Sequence, residues 1–394
     1  MDRKNKMWQI VGRVLSYVLV AVVAAFSALY IAFGSMGMGI SKLEQLQALI
    51  EQRFIGQADA QRMQDAAAAA MVGSLGDQWS YYISADDYVQ YEQQMKNIYV
   101  GIGVTIEKDK QTNELTVKQL EPGGSAKQAG MLIGDVIVRI DGQDTTALGI
   151  SGAAELVRGQ EGTKVLLTVR RGGEELDFEL TRTTMQLDVA KAVMLDGNIG
   201  YIKIYNFDER CAQETLAAVE KMKSEGAKAL VFDVRNNPGG YKNELVKVLD
   251  ALLPEGELFR SVDYTGREEV DMSDEKCLKL PMAVLVNESS YSAAEFFAAA
   301  LEEYDWAVTV GERTVGKGYF QNTFLLKDGS AVGLSIGKYF TPKGVSLAEV
   351  GGLTPNIVCE VDEETAAKIY AELLSEQDDP QIQAAVRALT EKMD

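Results

Sequence analysis

From Asn198 onward the sequence alternates between short apolar segments and amphipathic ones, and this alternation constrains the fold more than any other feature of the chain. The segments "IGYIKIYNF", "KALVFDVR" and "MAVLVN" are typical of buried strands, whereas "AQETLAAVEKMKSEG", "YKNELVKVLDALL" and "SAAEFFAAALEEY" are typical of helices. Strands that alternate with helices usually form a largely parallel sheet. We therefore predict an α/β core domain over residues 186–360.

The rest of the chain divides into regions of different pattern, so the predicted class is an α+β multidomain protein. Residues 41–97 repeat apolar residues at three- and four-residue intervals, as in "LEQLQALIEQRFI", which predicts helices. Residues 98–185 consist of short strands and turns, including a hairpin in "GTKVLLTVRRGGEELDFELTRT". Residues 361–394 are helical by their periodicity, with one helix expected from Glu363 to Met393.

The N-terminus carries an apolar segment, Val14–Phe33, which contains 20 residues without a charge. That length can cross a bilayer as a helix, and four basic residues precede it. We therefore predict a single-pass signal anchor in the cell membrane, with residues 1–13 in the cytoplasm, residues 14–33 in the bilayer and the protein's remaining domains outside. The alternatives are a cleaved signal peptide and a buried core helix.

Composition excludes several classes of function. The net charge of −19 argues against nucleic acid as a partner, because phosphate backbones require basic surfaces. The chain contains no histidine, which excludes a Ser–His–Asp triad, a Cys–His pair and any His-ligated metal site. The three cysteines lie far apart without metal-site spacing, and we interpret them as small buried residues. Neither a metal nor an organic cofactor is implied.

Two junctions between a buried strand and a helix are candidates for chemistry. In "DVRNNPGGY" the residues Gly239 and Gly240 expose backbone amides, and in "VNESSYSAAEFF" the residue Ser292 lies at a helix N-terminus. Amides at such positions can stabilise an oxyanion, and a serine there resembles the nucleophile of other hydrolases. The structural alternatives are a capping box of Ser292 with Glu295 and a simple tight turn at "NNPGG".

Lys317, in "GERTVGKGYFQNTF", is the candidate base for such a serine. The segment resembles a phosphate-binding loop, but Gly318 follows the lysine where Ser or Thr is required, and a strand follows instead of a helix. Without histidine, lysine is the remaining strong base for a serine nucleophile. Its ordinary pKa of about 10.4 must fall for this role, which requires a buried, apolar pocket.

Residues 98–185 resemble a PDZ domain. The residues that carry the resemblance are Val100, Gly101, Ile102 and Gly103, at the place of the carboxylate-binding loop, and the run "GSAKQAGMLIGDVIVRIDG". Exposed amides in such a loop bind a terminal carboxylate, and the adjacent sheet edge accepts the peptide as an added strand. The resemblance implies a binding site for flexible, apolar C-terminal tails.

The motifs "SLGDQWSYYISADDY", "DVRNNPGG", "NESSYSAAE", "GERTVGKGYFQ" and "YFTPKG" follow the order seen in carboxyl-terminal processing peptidases, which the chain resembles from about Ser41 to Cys359. The resemblance implies a core like the crotonase and caseinolytic protease folds and a serine endopeptidase activity. It assigns Ser292 as nucleophile, Lys317 as base and Gln321 as the residue that orients the lysine. It also assigns backbone amides of Gly239, Gly240 and Ala293 to the oxyanion hole, and Arg158 to coupling between the PDZ domain and the core.

The sequence departs from that family around the nucleophile. Such enzymes usually carry small residues there, whereas this chain has Tyr291 next to Ser292, together with two further hydroxyls at Ser289 and Ser290. We expect an active protease, with gating by the PDZ domain left open. The rival interpretation is a non-catalytic, membrane-tethered PDZ scaffold that binds partner C-termini. Apolar helix faces in the N- and C-terminal regions suggest a homodimer or an intramolecular contact.

Overall fold

The computed structural model describes residues 2–35, 41–109 and 112–393, and within the first helix it describes the side chains of residues 7, 8 and 13–28. The chain forms two compact units, Met1–Gln78 and Trp79–Asp394.

The first unit contains helices α1 (Asp2–Ser35), α2 (Lys42–Arg53) and α3 (Ala60–Gly73). Helix α2 begins at a capping box, in which Ser41 N–H donates to the Glu44 carboxylate at 2.6 Å and Glu44 N–H donates to Ser41 Oγ at 3.2 Å. Among the described residues, no helix is both long and apolar enough to cross a bilayer. The segment Val14–Phe33 lies in α1, and its side chains from residue 29 onward are outside the described residues, so the predicted anchor stays a prediction.

The second unit begins with a strand that the sequence analysis did not predict, β1 (Tyr81–Ile83), and with helix α4 (Ala85–Met95). Ser84 is the N-cap of α4 and accepts a hydrogen bond from Asp87 N–H at 3.2 Å. The expected helical region of residues 41–97 therefore contains three helices with connecting loops and, in addition, this strand.

Residues 98–186 form a small sheet domain around one apolar core. Its elements are β2 (Ile98–Gly101), β3 (Val104–Lys108), β4 (Leu115–Leu120), α5 (Ser125–Gln128), β5 (Val136–Ile140), β6 (Gln143–Asp144), α6 (Gly149–Val157), β7 (Lys164–Arg171), β8 (Glu174–Thr181) and β9 (Thr183–Gln186). The sheet order is β3-β4-β5-β7-β8, so β3 is an edge strand, and β7 and β8 form the predicted hairpin.

The core domain contains the predicted alternation of strands and helices. Its elements are β10 (Ala190–Leu195), β11 (Ile199–Ile204), α7 (Cys211–Ser224), β12 (Ala229–Asp233), α8 (Lys242–Leu252), β13 (Gly256–Asp263), β14 (Glu268–Ser273), β15 (Met282–Val286), α9 (Ala293–Glu303), β16 (Ala307–Gly311), β17 (Tyr319–Leu325), β18 (Ala331–Phe340), α10 (Leu347–Val350), β19 (Ile357–Val358), α11 (Glu363–Tyr370) and α12 (Pro380–Met393). The central sheet has the order β10-β11-β12-β15-β16-β19 and is parallel except at β10.

A second, antiparallel sheet lies outside the predicted α/β layer. Its order is β1-β18-β13-β14, with β17 paired to β18. It recruits β1 from a segment about 250 residues earlier in the chain, where Tyr81 pairs with Gly333. This sheet supplies Gln321 from β17 and Tyr339 from β18 to the region around Ser292.

The C-terminal segment forms two helices, so the prediction of one helix from Glu363 to Met393 is wrong. The chain leaves the helical conformation at Glu372, whose φ is 52°, and α12 begins at Pro380. Asp379 caps α12 through its Oδ1, which accepts from the N–H groups of Gln381 (2.9 Å) and Ile382 (3.1 Å). The three cysteines carry free thiols; Cys211 is buried as predicted, whereas the other two are half-buried.

A buried charge cluster joins α12 to the end of β12. Arg235 binds Asp233 (2.6 Å) and Asp379 (2.8 Å), and Lys203 Nζ lies 3.8 Å from Asp233. Burial would raise the pKa of Asp233, but the positive charges of Arg235 and Lys203 hold it below its ordinary value. Lys203 Nζ also lies 4.0 Å from Glu372 at the edge of the cluster, which therefore contains two cations and three carboxylates.

Candidate active site

Ser292 lies at the junction between β15 and α9, where it is the N-cap of the helix. Its backbone has φ 59° and ψ −124°, a conformation that residues other than glycine rarely adopt. The first N–H groups of α9 point toward this position, since they have no acceptor within the helix. A serine on a strained turn between a buried strand and a helix is the arrangement of a hydrolase nucleophile.

The glycine loop that follows β12 packs directly against Ser292. A Cβ atom at Gly239 would lie 2.7 Å from Ser292 Cβ and 2.8 Å from the Ala293 nitrogen, and the φ of Gly239 is 90°. The Gly239 carbonyl accepts a hydrogen bond from Phe207 N–H at 2.7 Å, which fixes the loop to the end of β11. Only glycine fits here, because any side chain would displace the serine.

The amides of this loop are not equivalent. Gly239 N–H donates to Asn237 Oδ1 at 2.8 Å, and Asn237 is itself fully buried, with its Nδ2 donating to Ile204 O. The Gly239 amide is thus committed to the loop's own structure, because an N–H group carries one proton to donate. This leaves the N–H groups of Gly240 and Ala293 as the donors available for a developing oxyanion.

Glu295 connects the Ser292 junction with the loop that contains Lys317. Its Oε1 accepts from the N–H groups of Ser292 (3.1 Å) and Lys317 (2.6 Å), and its Oε2 accepts from Gly316 N–H (2.8 Å) and Thr314 Oγ1 (2.8 Å). The side chain is fully buried. Burial raises the pKa of Glu295, and the four hydrogen bonds act in the opposite direction.

Tyr339 in β18 forms a second link between the same two segments. Its phenol donates to the carbonyl of Lys317 and contacts the Ser292 side chain. Burial and the charge of Glu295 raise the pKa of Tyr339 well above its ordinary value, whereas the contact with Ser292 lowers it. The phenol is therefore neutral at physiological pH and acts as a hydrogen-bonding group.

The Lys317 side chain ends beside a pair of stacked aromatic rings. Its Nζ is 4.8 Å from the centre of the Trp79 ring and 5.8 Å from that of Tyr291, and the two rings stack with their centres 5.8 Å apart. Tyr291 occupies the position where the sequence departs from the family pattern. The substitution thus adds an aromatic ring to the surroundings of the lysine.

Gln321 lies in β17 and lines the same cavity as Ser292 and Lys317. Its Nε2 donates to Ser335 Oγ (3.0 Å) and to the carbonyl of Tyr319 (3.2 Å), which fixes the amide plane. A lysine ammonium has only donors, so a contact that orients Lys317 must use the Gln321 Oε1 atom.

The two other serines of the segment have different surroundings. Ser290 is fully buried, and its hydroxyl donates to the carbonyl of Val234 at 2.7 Å, so it has a structural role. Ser289 lines a separate cavity of about 200 Å³. Ser292 is the serine of this group that lines the large cavity.

That cavity has a volume of about 1470 Å³ and is lined by all six residues predicted for catalysis and the oxyanion hole. The predicted residues that line it are Gly239, Gly240, Ser292, Ala293, Lys317 and Gln321. The predicted peptide-binding loop and Arg158 belong to the small sheet domain. Arg158 is exposed at the C-terminus of α6. Burial and the charge of Glu121 raise the pKa of Tyr99, and the charge of Arg158 acts in the opposite direction.

The small domain offers a peptide-binding edge. Val100 and Ile102 are buried, whereas Gly103 has a φ of 75° and leads into the edge strand β3, against which α6 packs. The carbonyls of Ile102 and Gly103 accept from Ala126 (3.1 Å) and Glu121 (2.9 Å). In the described part of the chain, no protein acceptor takes the N–H groups of Ile102 and Gly103.

Sequence reasoning missed three residues of the site: Glu295, Tyr339 and Trp79. The signal for Glu295 was present, because the capping box pattern was recognised but interpreted only as a helix start. Tyr339 and Trp79 lie inside the motifs "YFTPKG" and "SLGDQWSYY", although nothing in their spacing reveals that both segments approach Lys317.

Comparisons with known proteins give independent information on this arrangement. Residues 198–359 match "Peptidase family S41", and residues 116–171 match "PDZ domain". The chain is 30% identical over 374 residues to the "Carboxy-terminal processing protease CtpA" of Bacillus subtilis (strain 168), which covers 92% of this chain and 78% of that protein. It is 29% identical over 350 residues to the "Probable CtpA-like serine protease" of Staphylococcus aureus (strain COL), which covers 86% of this chain and 70% of that protein.

Solved structures support the same architecture. The crystal structure of a "Putative S41 protease" from Bacteroides fragilis NCTC 9343 has a TM-score of 0.55 and 17% identity, and the match covers 89% of this chain and 98% of that one. At this level of identity the likeness concerns the fold.

Proposed function

The chain belongs to peptidase family S41, as a PDZ-containing carboxyl-terminal processing peptidase, and on that premise we propose that it cleaves protein substrates with a Ser–Lys dyad formed by Ser292 and Lys317. It is a serine-type peptidase. We propose, in addition, which residues are catalytic, which C-terminal tails the protein binds and that it is attached to a membrane.

In the proposed mechanism Lys317 takes the proton of the Ser292 hydroxyl as the oxygen attacks the scissile carbonyl. The N–H groups of Gly240 and Ala293 donate to the oxyanion of the tetrahedral intermediate. The protonated lysine then gives its proton to the leaving amine, and an acyl group remains on Ser292. Water, deprotonated by Lys317, attacks this ester and releases the product acid.

The observation that carries the proposal is the linkage of Ser292 and Lys317 through Glu295. The two residues line one cavity, and their backbone N–H groups donate to the same carboxylate oxygen, at 3.1 Å and 2.6 Å. A binding module has no requirement for this arrangement. It fixes both backbones relative to each other, as a nucleophile and its base require.

The small domain supports recognition of C-terminal tails. Two features support this part of the proposal: the N–H groups of Ile102 and Gly103 are available to a terminal carboxylate, and β3 is an edge strand to which an extended peptide can add. We propose that flexible, apolar tails bind there and that the upstream segment reaches Ser292. Gating of the dyad by the PDZ domain, with Arg158 as a contact, belongs to the same proposal.

The test compares an unstructured peptide that has apolar C-terminal residues and a free carboxylate with its amidated twin. Wild type should cleave the free-acid peptide faster, and Ser292→Ala and Lys317→Ala should abolish cleavage of both peptides. Equal cleavage of the two peptides would remove the tail-reading role and retain the peptidase. Tight binding without cleavage would indicate a scaffold or a closed gate, and cleavage that survives both substitutions would refute the dyad.

Membrane attachment and dimerisation complete the proposal. The apolar stretch Val14–Phe33 within α1 supports a single-pass anchor, with the peptidase outside the cytoplasm. Exposed leucines on α2, at positions 43, 46 and 49, support a dimer contact through the first unit. Membrane fractionation of the full chain with and without residues 14–33, and light scattering in solution, test the two points separately.

A further inference from the structure

One carboxylate in the catalytic cavity has no role in the proposed mechanism. Asp208 lies just after β11, lines the cavity that holds Ser292, and is only 8% exposed. Its backbone is bonded, since its N–H donates to Asn206 Oδ1 (3.2 Å) and its carbonyl accepts from Cys211 N–H (3.1 Å). Its carboxylate makes neither a hydrogen bond nor an ion pair with any described residue. Such burial is costly, so a ligand from outside the chain is the natural partner.

Asp208 is adjacent to the proposed oxyanion site. An ideal Cβ atom on Gly240 would lie 2.8 Å from the Asp208 nitrogen, so the two backbones are in direct contact. The Gly240 N–H is one of the two donors assigned to the carbonyl of the scissile bond. A substrate side chain that reaches Asp208 therefore belongs to a residue close to that bond.

The surroundings of Asp208 are suited to a cation. Glu209, which is exposed, lines the same cavity, and so do the phenol rings of Tyr88 and Tyr241. Tyr241 is held next to Asp208 by its backbone, because Tyr241 N–H donates to the carbonyl of Phe207 at 2.8 Å. Burial, followed by the charge of Asp208, raises the pKa of Tyr241 to about 12. Two carboxylates beside aromatic rings bind an ammonium or guanidinium group and also cover its aliphatic stem.

Of the four lysines that line the cavity, two are paired with carboxylates other than Asp208 and Glu209. Lys242 is bonded to Glu269 and Asp271, each at 3.0 Å, and Lys247 is bonded to Glu244 at 2.6 Å. Burial and the charge of Glu209 raise the pKa of Asp208 to about 7, and no described cation acts in the opposite direction. The negative charge at Asp208 is thus left for a ligand to compensate.

We propose that Asp208, together with Glu209 and Tyr241, forms a subsite for a lysine or arginine side chain of the substrate, next to the scissile peptide bond. The inference rests on the proposed peptidase function. Under this inference the enzyme would recognise two separate features of one substrate. The PDZ domain would bind the apolar C-terminal tail, and the subsite would bind a basic residue near the cleaved bond.

The test uses the full-length protein and a set of peptides with one common apolar, free C-terminus. Each peptide carries lysine, norleucine or glutamate at one of the four positions on either side of the scissile bond. At one position, lysine should exceed norleucine by about tenfold in kcat/KM, as one charge-assisted contact predicts. Asp208→Asn should bring the ratio of kcat/KM for the lysine and norleucine peptides to about one, and Asp208→Lys should favour glutamate.

Glu220→Gln is the matched control, because Glu220 lies on α7 outside the cavity and should retain the wild-type ratio. Equal rates for lysine and norleucine at every position would overturn the subsite, as would a lysine preference that survives Asp208→Asn. A second measurement separates this result from failure of the peptidase proposal. Amidated peptides with lysine or norleucine are titrated against Ser292→Ala, with and without Asp208→Asn. The ratio of the two Kd values shows whether the subsite exists, even if wild type cleaves neither peptide.

Discussion

The substitution Glu295→Gln tests the idea that one buried carboxylate holds the nucleophile and the base in register. In wild type, Oε1 accepts from the N–H groups of Ser292 and Lys317, and Oε2 accepts from Gly316 N–H and Thr314 Oγ1. Glutamine has the same shape, but one of these oxygens becomes an NH₂ group. Whichever end it occupies, a donor then faces two donors.

The expected loss of stability in Glu295→Gln follows from the hydrogen bonds that are disrupted. A hydrogen bond to a charged group contributes about 1.5–3 kcal/mol, and two such bonds are disrupted. The loss is smaller if the NH₂ group faces Thr314, because its hydroxyl can rotate to accept, and a neutral amide also costs less to bury than a carboxylate. We therefore expect the free energy of unfolding to fall by about 3 kcal/mol. Displacement of the Lys317 backbone should lower kcat/KM by about 100-fold.

The assay pairs urea unfolding with peptide cleavage at one pH. The control is Glu302→Gln on the same helix, since Glu302 is half-buried and bonded to Thr309 but lies outside the catalytic cavity. It should retain wild-type kcat/KM. Wild-type activity and stability in Glu295→Gln would show that the carboxylate does not position the dyad, and the structural reasoning would fail.

Three further predictions follow from buried groups near the site. The pKa of Asp208 is raised from 3.8 to about 7 on folding, so its ionisation destabilises the protein as pH rises through that value, and at about 1.36 kcal/mol per pKa unit Asp208→Asn should be more stable than wild type by about 4 kcal/mol at pH 8 but not at pH 4. Urea unfolding at both pH values checks this, and an equal difference at the two would contradict it. Gly239→Ala places a methyl group 2.7 Å from Ser292 Cβ and should displace the nucleophile, so the cleavage rate should fall by more than about 100-fold while the circular dichroism spectrum is retained. A cleavage rate near that of wild type would refute the close approach. Asp379→Asn keeps the helix cap but turns an NH₂ group toward Arg235, and thermal or urea unfolding should show a loss of about 3 kcal/mol, whereas an unchanged midpoint would mean that Asp233 and Gln381 together satisfy the arginine.

The parallel core was predictable because its signal is local. The strands of the central sheet are short apolar runs, and the helices between them have the apolar spacing of a helix, so neighbouring residues suffice to identify them. Ser292 and the Gly239–Gly240 turn could be located for the same reason, since both lie where a buried strand ends.

The second sheet and the surroundings of Lys317 depend on contacts between distant segments. Strand β1 is three residues long and is defined by its pairing with β18, about 250 residues later. The ring of Trp79 reaches Lys317 across a similar separation. The break between α11 and α12 was missed because the periodicity continues on both sides of it, while the cap at Asp379 is fixed by its bond to Arg235.

The bond between Arg235 and Asp379 also bears on the order in which the protein becomes competent. Arg235 is two residues from Asn237, which fixes the Gly239 amide, whereas Asp379 follows all strands of both core sheets in the chain. Because synthesis proceeds from the N-terminus, a nascent chain that lacks Asp379 leaves Arg235 with Asp233 as its carboxylate partner in an apolar interior, while Lys203 also contacts Glu372 (4.0 Å). We expect the glycine loop to reach its final conformation only when α12 docks. A ribosome-bound chain should therefore have no peptidase activity until α12 has been made.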